Sequence, residues 1–266
     1  MKLVAAFVRR DFRLERSYRL ALITSFAGIF STLLSAGFLS RLVPGDTEAL
    51  RPFGGDYFTF ALVGTAALSY FSVALGSFAG SLSQEQQMGT MEALLVTPID
   101  PKLLLVCGAA WPFCFATFQL VIYIALGALL FHAEVAVANL AIAGGMLLLT
   151  MAAFSAVGLA AAGLIMVVKR TGALLGFVGS AFGLLGGVLY PISVLPRPLQ
   201  LLAQALPMSH GLEGVRLALV PDPDLSAIGR DALALALFTA VLVPLAFWGF
   251  EWSVRRCRRT GSLGHY

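Results

Sequence analysis

The chain has 266 residues, of which 59% are hydrophobic and 12% charged, and its formal net charge is +4. Soluble domains contain roughly 45–50% apolar and about 25% charged residues, so this composition excludes an ordinary soluble domain. The positive charge comes from clustered Lys and Arg, and we expect no nucleic-acid partner.

Long charge-free runs divide the chain into six predicted membrane spans. A transmembrane helix needs about 20 mostly apolar residues, because only a helix satisfies its own backbone polar groups in lipid. The six runs are Leu20–Ser40, Tyr57–Gln84, Leu103–Phe131, Val135–Val168, Thr171–Pro196 and Ala232–Phe250. They predict an all-α polytopic membrane protein with one domain over residues 1–266. The fourth run exceeds one crossing, so we expect it to tilt, protrude or bend near Gly144 and Gly145.

Residues 1–19 have the pattern of an amphipathic helix. At 100° per residue, one narrow stripe is basic and consists of Lys2, Arg9, Arg13 and Arg16. The opposite side is apolar, which predicts a helix in the inner membrane interface with its basic face toward anionic lipid. Asp11 and Glu15 interrupt the apolar side, so we expect the far end of this helix to face protein. The alternative is a basic tail that only enforces topology.

The distribution of Lys and Arg predicts the orientation of the spans, because cytosolic segments are enriched in both. With the N-terminus inside, 13 of the 18 basic residues lie on the inner side. The five on the outer side are Arg41, Arg51, Arg197, Arg216 and Arg230. We therefore expect both termini to be cytosolic.

Residues 83–101, between the second and third spans, form a polar and acidic connector with its own helical pattern. Ser83 and Gln86 fit a capping box that begins a helix, and Thr97 before Pro98 ends it. Its side chains give an apolar and a neighbouring acidic face, formed by Met88, Met91 and Leu95 and by Glu85 and Glu92. Such a helix fits a groove on a basic protein partner. The alternative is a solvated turn between two spans.

Two groups of residues within the spans have a predicted role in packing or transport. Glycines at spacings of three and four give one smooth helix face, consisting of Gly172, Gly176, Gly179, Gly183 and Gly187. The strongest polar side chains in the spans are Gln119 and Asn139, which either form hydrogen bonds across helices or line a path. The spans contain no ionisable residue, which argues against an ion-driven carrier.

Residues 191–231, before the last span, form an outer segment that prolines divide into short pieces. Pro198–Leu206 is apolar, and Pro198 suits the first turn of a helix. We expect a pair of short re-entrant or interfacial helices here; the alternative is a plain extracellular loop. Glu213 and Arg216, three residues apart, are expected to form a structural pair.

The motifs of nucleotide and metal chemistry are missing from the sequence. None of the lysines, Lys2, Lys102 and Lys169, follows a glycine, so no P-loop can bind ATP. His132, His210 and His265 are isolated, and the three cysteines suggest neither a disulfide framework nor a metal site. We expect no enzyme activity, metal or cofactor in this chain.

Two motifs resemble those of ABC-2 type transporter permeases. The run Gln84-Glu85, Gly89-Thr90-Met91-Glu92, Leu94-Leu95 and Thr97-Pro98 resembles that family's loop between the second and third spans. Leu195-Pro196 and the run from Leu206 to Arg216 resemble its signature before the last span. The likeness covers nearly the whole chain. One difference is Gln86-Gln87, where the family often carries a basic residue.

The resemblance implies the membrane subunit of an ABC exporter, with ATP and Mg bound by a separate cytosolic ATPase. Residues Glu85–Leu95 would be a coupling helix in a cleft of the ATPase. Lys169 and Arg170 would add a smaller contact. The outer pieces would gate the outer side, with the gate residues Pro191, Leu195, Pro196, Pro207, Glu213 and Arg216.

The resemblance also implies two permease chains, identical or different, in the cytoplasmic membrane of a bacterium or archaeon. The uncharged spans suit a hydrophobic or amphipathic cargo, such as a drug, a lipid or a lipid-linked glycan. Two other functions remain open: a non-transporting membrane anchor or scaffold, and a passive channel or lipid scramblase.

Overall fold

The computed structural model describes residues 2–43, 48–87, 101–131, 133, 136, 139–168 and 172–260. Over these residues the chain forms nine α-helices and two short 3-10 segments, at Glu48–Phe53 and Ile192–Val194. The helices are α1 (Lys2–Ser17), α2 (Arg19–Ser40), α3 (Tyr57–Gln87), α4 (Pro101–Phe131), α5 (Leu140–Val168), α6 (Gly172–Leu185), α7 (Arg197–Gln204), α8 (Pro207–Ala218) and α9 (Leu225–Thr260). The described ranges contain no β-strand, which confirms the predicted all-α class.

Helix α1 contacts α4, as its two acidic residues predict. The indole Nε1 of Trp111 donates a hydrogen bond to Glu15 Oε2 over 2.8 Å. The ring of Phe12 meets the same indole edge-on, with 5.3 Å between the ring centroids. The far end of α1 therefore packs against protein.

Five helices are long and apolar enough to cross a membrane by length and composition: α2, α3, α4, α5 and α9. The predicted first, second and third spans correspond closely to α2, α3 and α4. The apolar window of α3 ends at Ser81 and that of α4 begins at Val106. Both helices extend beyond these windows into the connector, α3 to Gln87 and α4 back to Pro101.

Helix α3 lies at the centre of the bundle. Within its apolar window 67% of residues are buried, compared with 17% in the windows of α4 and α9. It packs against α4 and α5, and α5 packs against α9. Helices α4 and α9 expose large apolar side chains, including Phe118, Leu129, Leu233 and Trp248. Such apolar surfaces suit contact with lipid acyl chains, which offer no hydrogen-bond partners to polar groups.

The predicted fifth span, Thr171–Pro196, does not form one continuous helix. Helix α6 has 14 residues, which is about 21 Å at 1.5 Å per residue and shorter than the ~30 Å hydrocarbon core. The chain turns at Gly187, whose φ of +71° is a left-handed conformation that glycine adopts easily. The described residues thus contain five candidate spans, one fewer than the six predicted.

The boundaries of two other predicted spans also differ from the structure. The fourth was expected from Val135, but α5 begins at Leu140 and runs through Gly144 and Gly145 as one helix. The last was expected over Ala232–Phe250, whereas α9 covers Leu225–Thr260. Asp231 and Arg230 lie in the first turns of α9, so charged residues continue the helix beyond its charge-free run.

Candidate functional site

The structure describes only part of the predicted coupling site. Gln84 and Glu85 lie in the last turn of α3, which ends at Gln87. The remaining predicted contact residues lie outside the described residues: Met88, Gly89, Thr90, Met91, Glu92, Leu95, Thr97, Pro98, Lys169 and Arg170. The site that the structure describes in detail is therefore the predicted outer segment.

The outer segment contains the two short helices expected from its sequence, α7 and α8. Pro196 lies at the N-cap of α7, and α8 begins with Pro207, where the missing N–H of proline is harmless. Gln200 stabilises the approach to α7, since its Nε2 donates to the carbonyls of Leu195 (2.7 Å) and Ser193 (3.1 Å). The Ser209 hydroxyl donates to the Ala203 carbonyl and joins α8 to α7.

A buried arginine, Arg216 of α8, holds this segment against the bundle. Its Nη1 donates to the Gly187 carbonyl over 2.8 Å, and its Nη2 donates to Val188 (2.6 Å) and Phe60 (3.0 Å). The guanidinium carbon lies 3.4 Å from the centroid of the Phe60 ring. One side chain thus connects α8, the turn after α6 and the first turn of α3.

This arrangement gives hydrogen-bond donors to backbone carbonyls of the turn after α6. A buried backbone carbonyl outside a regular helix needs a donor from elsewhere, because leaving it unpaired costs free energy. Gly187 and Val188 follow the end of α6, and their carbonyls both accept from Arg216. Nearby, the Tyr57 hydroxyl donates to the Leu189 carbonyl over 3.0 Å. The break in the predicted fifth span is therefore hydrogen-bonded by side chains from α8 and α3.

The packing here leaves no room for a side chain at Gly64 of α3. A Cβ at this position would collide with the Val188 carbonyl oxygen and with Arg216 Nη2. Glycine therefore allows the turn after α6 to approach the backbone of α3.

Burial lowers the pKa of Arg216 well below its ordinary value, whereas the negative charge of Glu213 raises it. Three carbonyl acceptors and an aromatic face replace the water that the guanidinium loses. The expected structural pair of Glu213 and Arg216 forms no salt bridge within the described residues. Arg216 instead donates to backbone carbonyls in the turn after α6 and in the first turn of α3. Among the described atoms, its Nε has no hydrogen-bond partner.

A second polar contact joins α8 to α9. His210 Nδ1 lies 2.8 Å from Asp231 Oδ1, and Nε2 lies 2.9 Å from the Gln204 carbonyl oxygen. Both ring nitrogens face acceptors, so the doubly protonated imidazolium satisfies both. The hydrogen bond to Asp231 raises the pKa of His210, although burial opposes it. Burial raises the pKa of the Glu213 carboxyl, and Asp231 raises it further.

The two predicted path-lining residues have different surroundings. Asn139 lies just before α5, not inside a span, and its Nδ2 donates to the Val220 carbonyl over 3.2 Å. This hydrogen bond connects the start of α5 with the residues just after α8. Of the two predicted roles, hydrogen bonding and lining a path, Asn139 therefore has the first. Gln119 is half-buried on α4 and forms no hydrogen bond with the described part of the chain.

The predicted glycine face of α6 meets little of this chain. A Cβ at Gly176 or Gly179 would meet no described atom within 4 Å, and one at Gly183 would make an ordinary contact with Leu68. Gly187 belongs to the turn instead of the helix. Tight packing occurs instead at other glycines, such as Gly64 and Gly158 of the bundle helices, which the spacing argument did not identify because a close approach between distant segments leaves no local pattern.

The helical bundle and the two short helices α7 and α8 define a polytopic α-helical membrane protein. The profile of the family described as ABC-2 type transporter matches residues 2–220, and the chain belongs to this family. No curated protein shows significant sequence similarity to it. The chain is accordingly the membrane-embedded permease domain of an ABC transporter, a non-catalytic component of a class that works with an ATPase subunit.

Proposed function

We propose that this chain exports a hydrophobic or amphipathic molecule, driven by ATP that a separate cytosolic subunit binds with Mg and hydrolyses. The membership of the ABC-2 family over residues 2–220 carries this proposal. The sequence has no P-loop lysine, so an ATP-driven cycle requires a partner.

The connector at residues 83–101 is the proposed contact with the ATPase. Its position supports this role, because its first residues extend α3 past the apolar window that ends at Ser81, and α4 begins at Pro101, before its own window at Val106. A segment between two such extensions lies away from the hydrocarbon core. The central position of α3 provides a mechanical route, since a push on its end would reach α4, α5 and α8, which all contact it. Lys169 and Arg170, beyond the end of α5, would add a second contact on the same side.

An apolar cavity supports a lipophilic cargo. It has a volume of about 330 Å³ and lies between α3, α4, α5 and α8. Its lining includes Val63, Tyr70, Leu120 and Leu147, with Gly144 leaving its α5 side open. The Tyr70 hydroxyl contacts Met151 Sδ at 3.1 Å, so the few polar atoms near the cavity have partners. Ligand sites of this kind are largely apolar with few polar groups.

A dimer with both termini cytosolic in the cytoplasmic membrane completes the proposal. The face of α6 that carries Gly176 and Gly179 is open in this chain, so a helix of a second chain could approach it closely. In this orientation, α7 and α8 lie on the outer side of the membrane. The hydrogen bonds of Arg216 that hold α8 to the bundle would then control release of the cargo. The predicted gate residues Pro191, Leu195, Pro196, Pro207 and Glu213 lie in or beside these two helices.

The decisive experiment alters the connector in cells that contain the cognate ATPase. Glu92→Arg, or deletion of Gly89 and Thr90, should abolish ATP-dependent efflux while the protein still inserts into the membrane. Glu48→Arg reverses an exposed charge on the predicted outer side and should leave efflux intact. Normal efflux by both connector variants would refute the coupling role.

The two other functions predict different results in the same system. A membrane anchor copurifies with the ATPase, but no cargo moves when ATP is hydrolysed. A passive channel or scramblase moves its cargo in liposomes without nucleotide. Cargo movement by the reconstituted complex, measured with and without ATP, therefore distinguishes an exporter from an anchor and from a passive channel or scramblase.

A further inference from the structure

One face of α9 carries large apolar side chains that the rest of the chain leaves exposed. They form a stripe that consists of Leu233, Leu237, Val241, Leu245, Trp248 and Trp252. At 100° per residue, these six side chains fall within about 120° of the helix circumference. The buried residues Leu235, Ala246 and Phe250 lie on the opposite side, and α9 packs against α5. The α9 stripe therefore faces away from the bundle.

A cluster of arginines follows the α9 stripe. Arg255 and Arg256 come within four residues of Trp252 and are both exposed, the side chain of Arg255 by 74%. The guanidinium carbon of Arg256 lies 5.2 Å from the centroid of the Trp252 ring. The helix continues to Thr260 and its sequence adds Arg258 and Arg259.

The charge at this end of α9 is strongly positive. From Ala232 to Thr260 the sequence has one acidic residue, Glu251, against four arginines. Glu251 Oε2 lies 3.3 Å from Arg255 Nη2. A guanidinium has five N–H donors, so this contact leaves Arg255 able to donate to a further acceptor.

The length of the stripe places the arginines at the depth of lipid head groups. From Leu233 to Trp252 the helix rises about 28 Å at 1.5 Å per residue, close to the ~30 Å hydrocarbon core. Charged residues flank the stripe, Asp231 before it and Arg255 after it. Tryptophan is enriched where the hydrocarbon meets the head groups, as at Trp248 and Trp252.

The stripe suits lipid better than a second copy of this chain. Two copies in one membrane have the same orientation, so a second α9 on the stripe would bring both arginine clusters to the same depth. Like charges at close range repel. Helices that pack closely in membranes also use small residues, whereas the exposed residues of the stripe are leucines, a valine and tryptophans.

We propose that the arginine end of α9 binds the head group of an anionic phospholipid, whose acyl chains lie along the α9 stripe. Guanidinium groups match phosphate oxygens with paired N–H donors, and clusters of four or more basic residues beside a span attract anionic lipid. The stacking of Arg256 on Trp252 holds one guanidinium at the interface before lipid arrives. The site lies on one helix and does not depend on the proposed export.

Tryptophan fluorescence tests this proposal, because Trp248 and Trp252 lie on the stripe and Trp111→Phe removes the third tryptophan of the chain. The full chain is reconstituted in phosphatidylcholine liposomes that contain increasing fractions of one phospholipid with brominated acyl chains. We expect half-maximal quenching at about fivefold lower fraction of brominated phosphatidylglycerol than of brominated phosphatidylcholine. The preference should shrink at 1 M salt, where the Debye length is about 3 Å. Equal quenching by the two lipids at low salt would overturn the proposal.

Paired variants in the same background separate this site from a general effect of protein charge. Arg255→Gln with Arg256→Gln should abolish the preference. Arg41→Gln with Arg51→Gln removes the same charge from two exposed arginines on the predicted outer side and should retain it. The match is close, because the Arg41 guanidinium carbon also lies over an aromatic ring, 5.9 Å from the Phe38 centroid. A preference that survives in the first pair, or disappears in the second, would contradict the assignment.

The alternative occupant of this basic surface is an acidic face of the proposed ATPase. We expect the lipid preference to persist when the cognate ATPase is added. If the ATPase abolishes the preference, and Arg255→Gln with Arg256→Gln also weakens copurification, the surface belongs to the protein partner and the lipid assignment is wrong. Loss of efflux plays no part in either readout, so failure of this proposal is distinguishable from failure of the proposed export.

Discussion

Arg216 Nη2 donates a hydrogen bond to the Phe60 carbonyl over 3.0 Å, although 156 residues separate the two in the chain. The contact joins the short helix α8 to the start of the central helix α3. The same guanidinium accounts for the carbonyls of Gly187 and Val188 at the end of α6. The short helix α8 and the central helix α3 are therefore connected through one side chain, and this connection can be tested.

Replacing Arg216 should weaken the bundle considerably. Arg216→Met keeps much of the apolar stem but leaves three carbonyls without their donor, and hydrogen bonds to charged groups contribute about 1.5–3 kcal/mol each. We expect a loss of roughly 2–4 kcal/mol, since water entering the break would restore part of it. The apparent Tm in detergent measures this loss. Arg230→Met, at an exposed position on α9, is the control and should change the Tm little. An unchanged Tm in Arg216→Met would mean that the hydrogen bonds of Arg216 do not stabilise the bundle.

A single methyl group at Gly64 should separate the turn after α6 from α3. In Gly64→Ala the new Cβ would collide with a backbone carbonyl, which has less freedom to move than a flexible side chain. Overpacking of this kind costs typically 1–3 kcal/mol. Gly76→Ala lies on the same helix in open space, so it should be neutral or gain about 0.5–1 kcal/mol from helix propensity. Thermal unfolding of the two variants in parallel provides the comparison, and equal shifts would exclude a steric cause.

Charge-free runs predicted α2, α3 and α4 within a few residues because lipid permits long apolar helices and few alternatives. The same signal failed at α6. Inside a membrane protein, a turn needs no charged residue of its own if other side chains form hydrogen bonds with its backbone. Arg216 forms these hydrogen bonds with the turn from 28 and 29 residues away in the chain. The chain turns at Gly187, but the sequence has six glycines from Gly172 to Gly187 inclusive. Their pattern does not indicate which of them forms the turn.

The outer site was predicted in part. Prolines correctly indicated two short helices, and α7 and α8 begin beside Pro196 and Pro207. The hydrogen-bond partners of Arg216 were not predicted, because a spacing of three on a helix points only to Glu213, whereas the guanidinium donates to carbonyls of other segments. Burial of Arg216 depends on where α8 docks, and the local sequence contains no information about that. The predicted contact at the connector remains a prediction.

Stability should decrease as pH rises through the pKa of His210. The hydrogen bond to Asp231 raises this pKa above its ordinary value of 6.5, so the folded protein binds the proton more tightly than the unfolded chain. Its contribution is fully present below about pH 6.5 and is lost as pH rises through the folded pKa. We expect the apparent Tm to fall by a few degrees over this range, and His210→Gln should remove the fall.

Glu213 requires a separate control, because its titration changes stability in the same direction as the titration of His210. Burial raises its pKa above 4.5, so its contribution also decreases with rising pH, but the decrease begins at lower pH. Glu213→Gln should therefore retain most of the change above pH 6.5. Asp231→Asn removes the carboxylate that stabilises the imidazolium and should behave like His210→Gln. A Tm that falls equally in the wild type and in His210→Gln would assign the pH dependence to other groups.

Filling the apolar cavity between α3, α4, α5 and α8 should impair transport without unfolding the protein. Gly144 lines this cavity, and a Cβ there meets no described atom within 4 Å. Gly144→Leu would therefore extend a side chain toward the cavity of ~330 Å³ with no clash at its Cβ. Its neighbour Gly145 is equally unobstructed but does not line the cavity, which makes Gly145→Leu a close control. With the cognate ATPase present, we expect about tenfold slower efflux in Gly144→Leu, as the loss of 1.4 kcal/mol of cargo binding would produce. Equal efflux in both variants, at equal membrane levels, would show that the cargo takes another route, because only one of the two side chains enters the cavity.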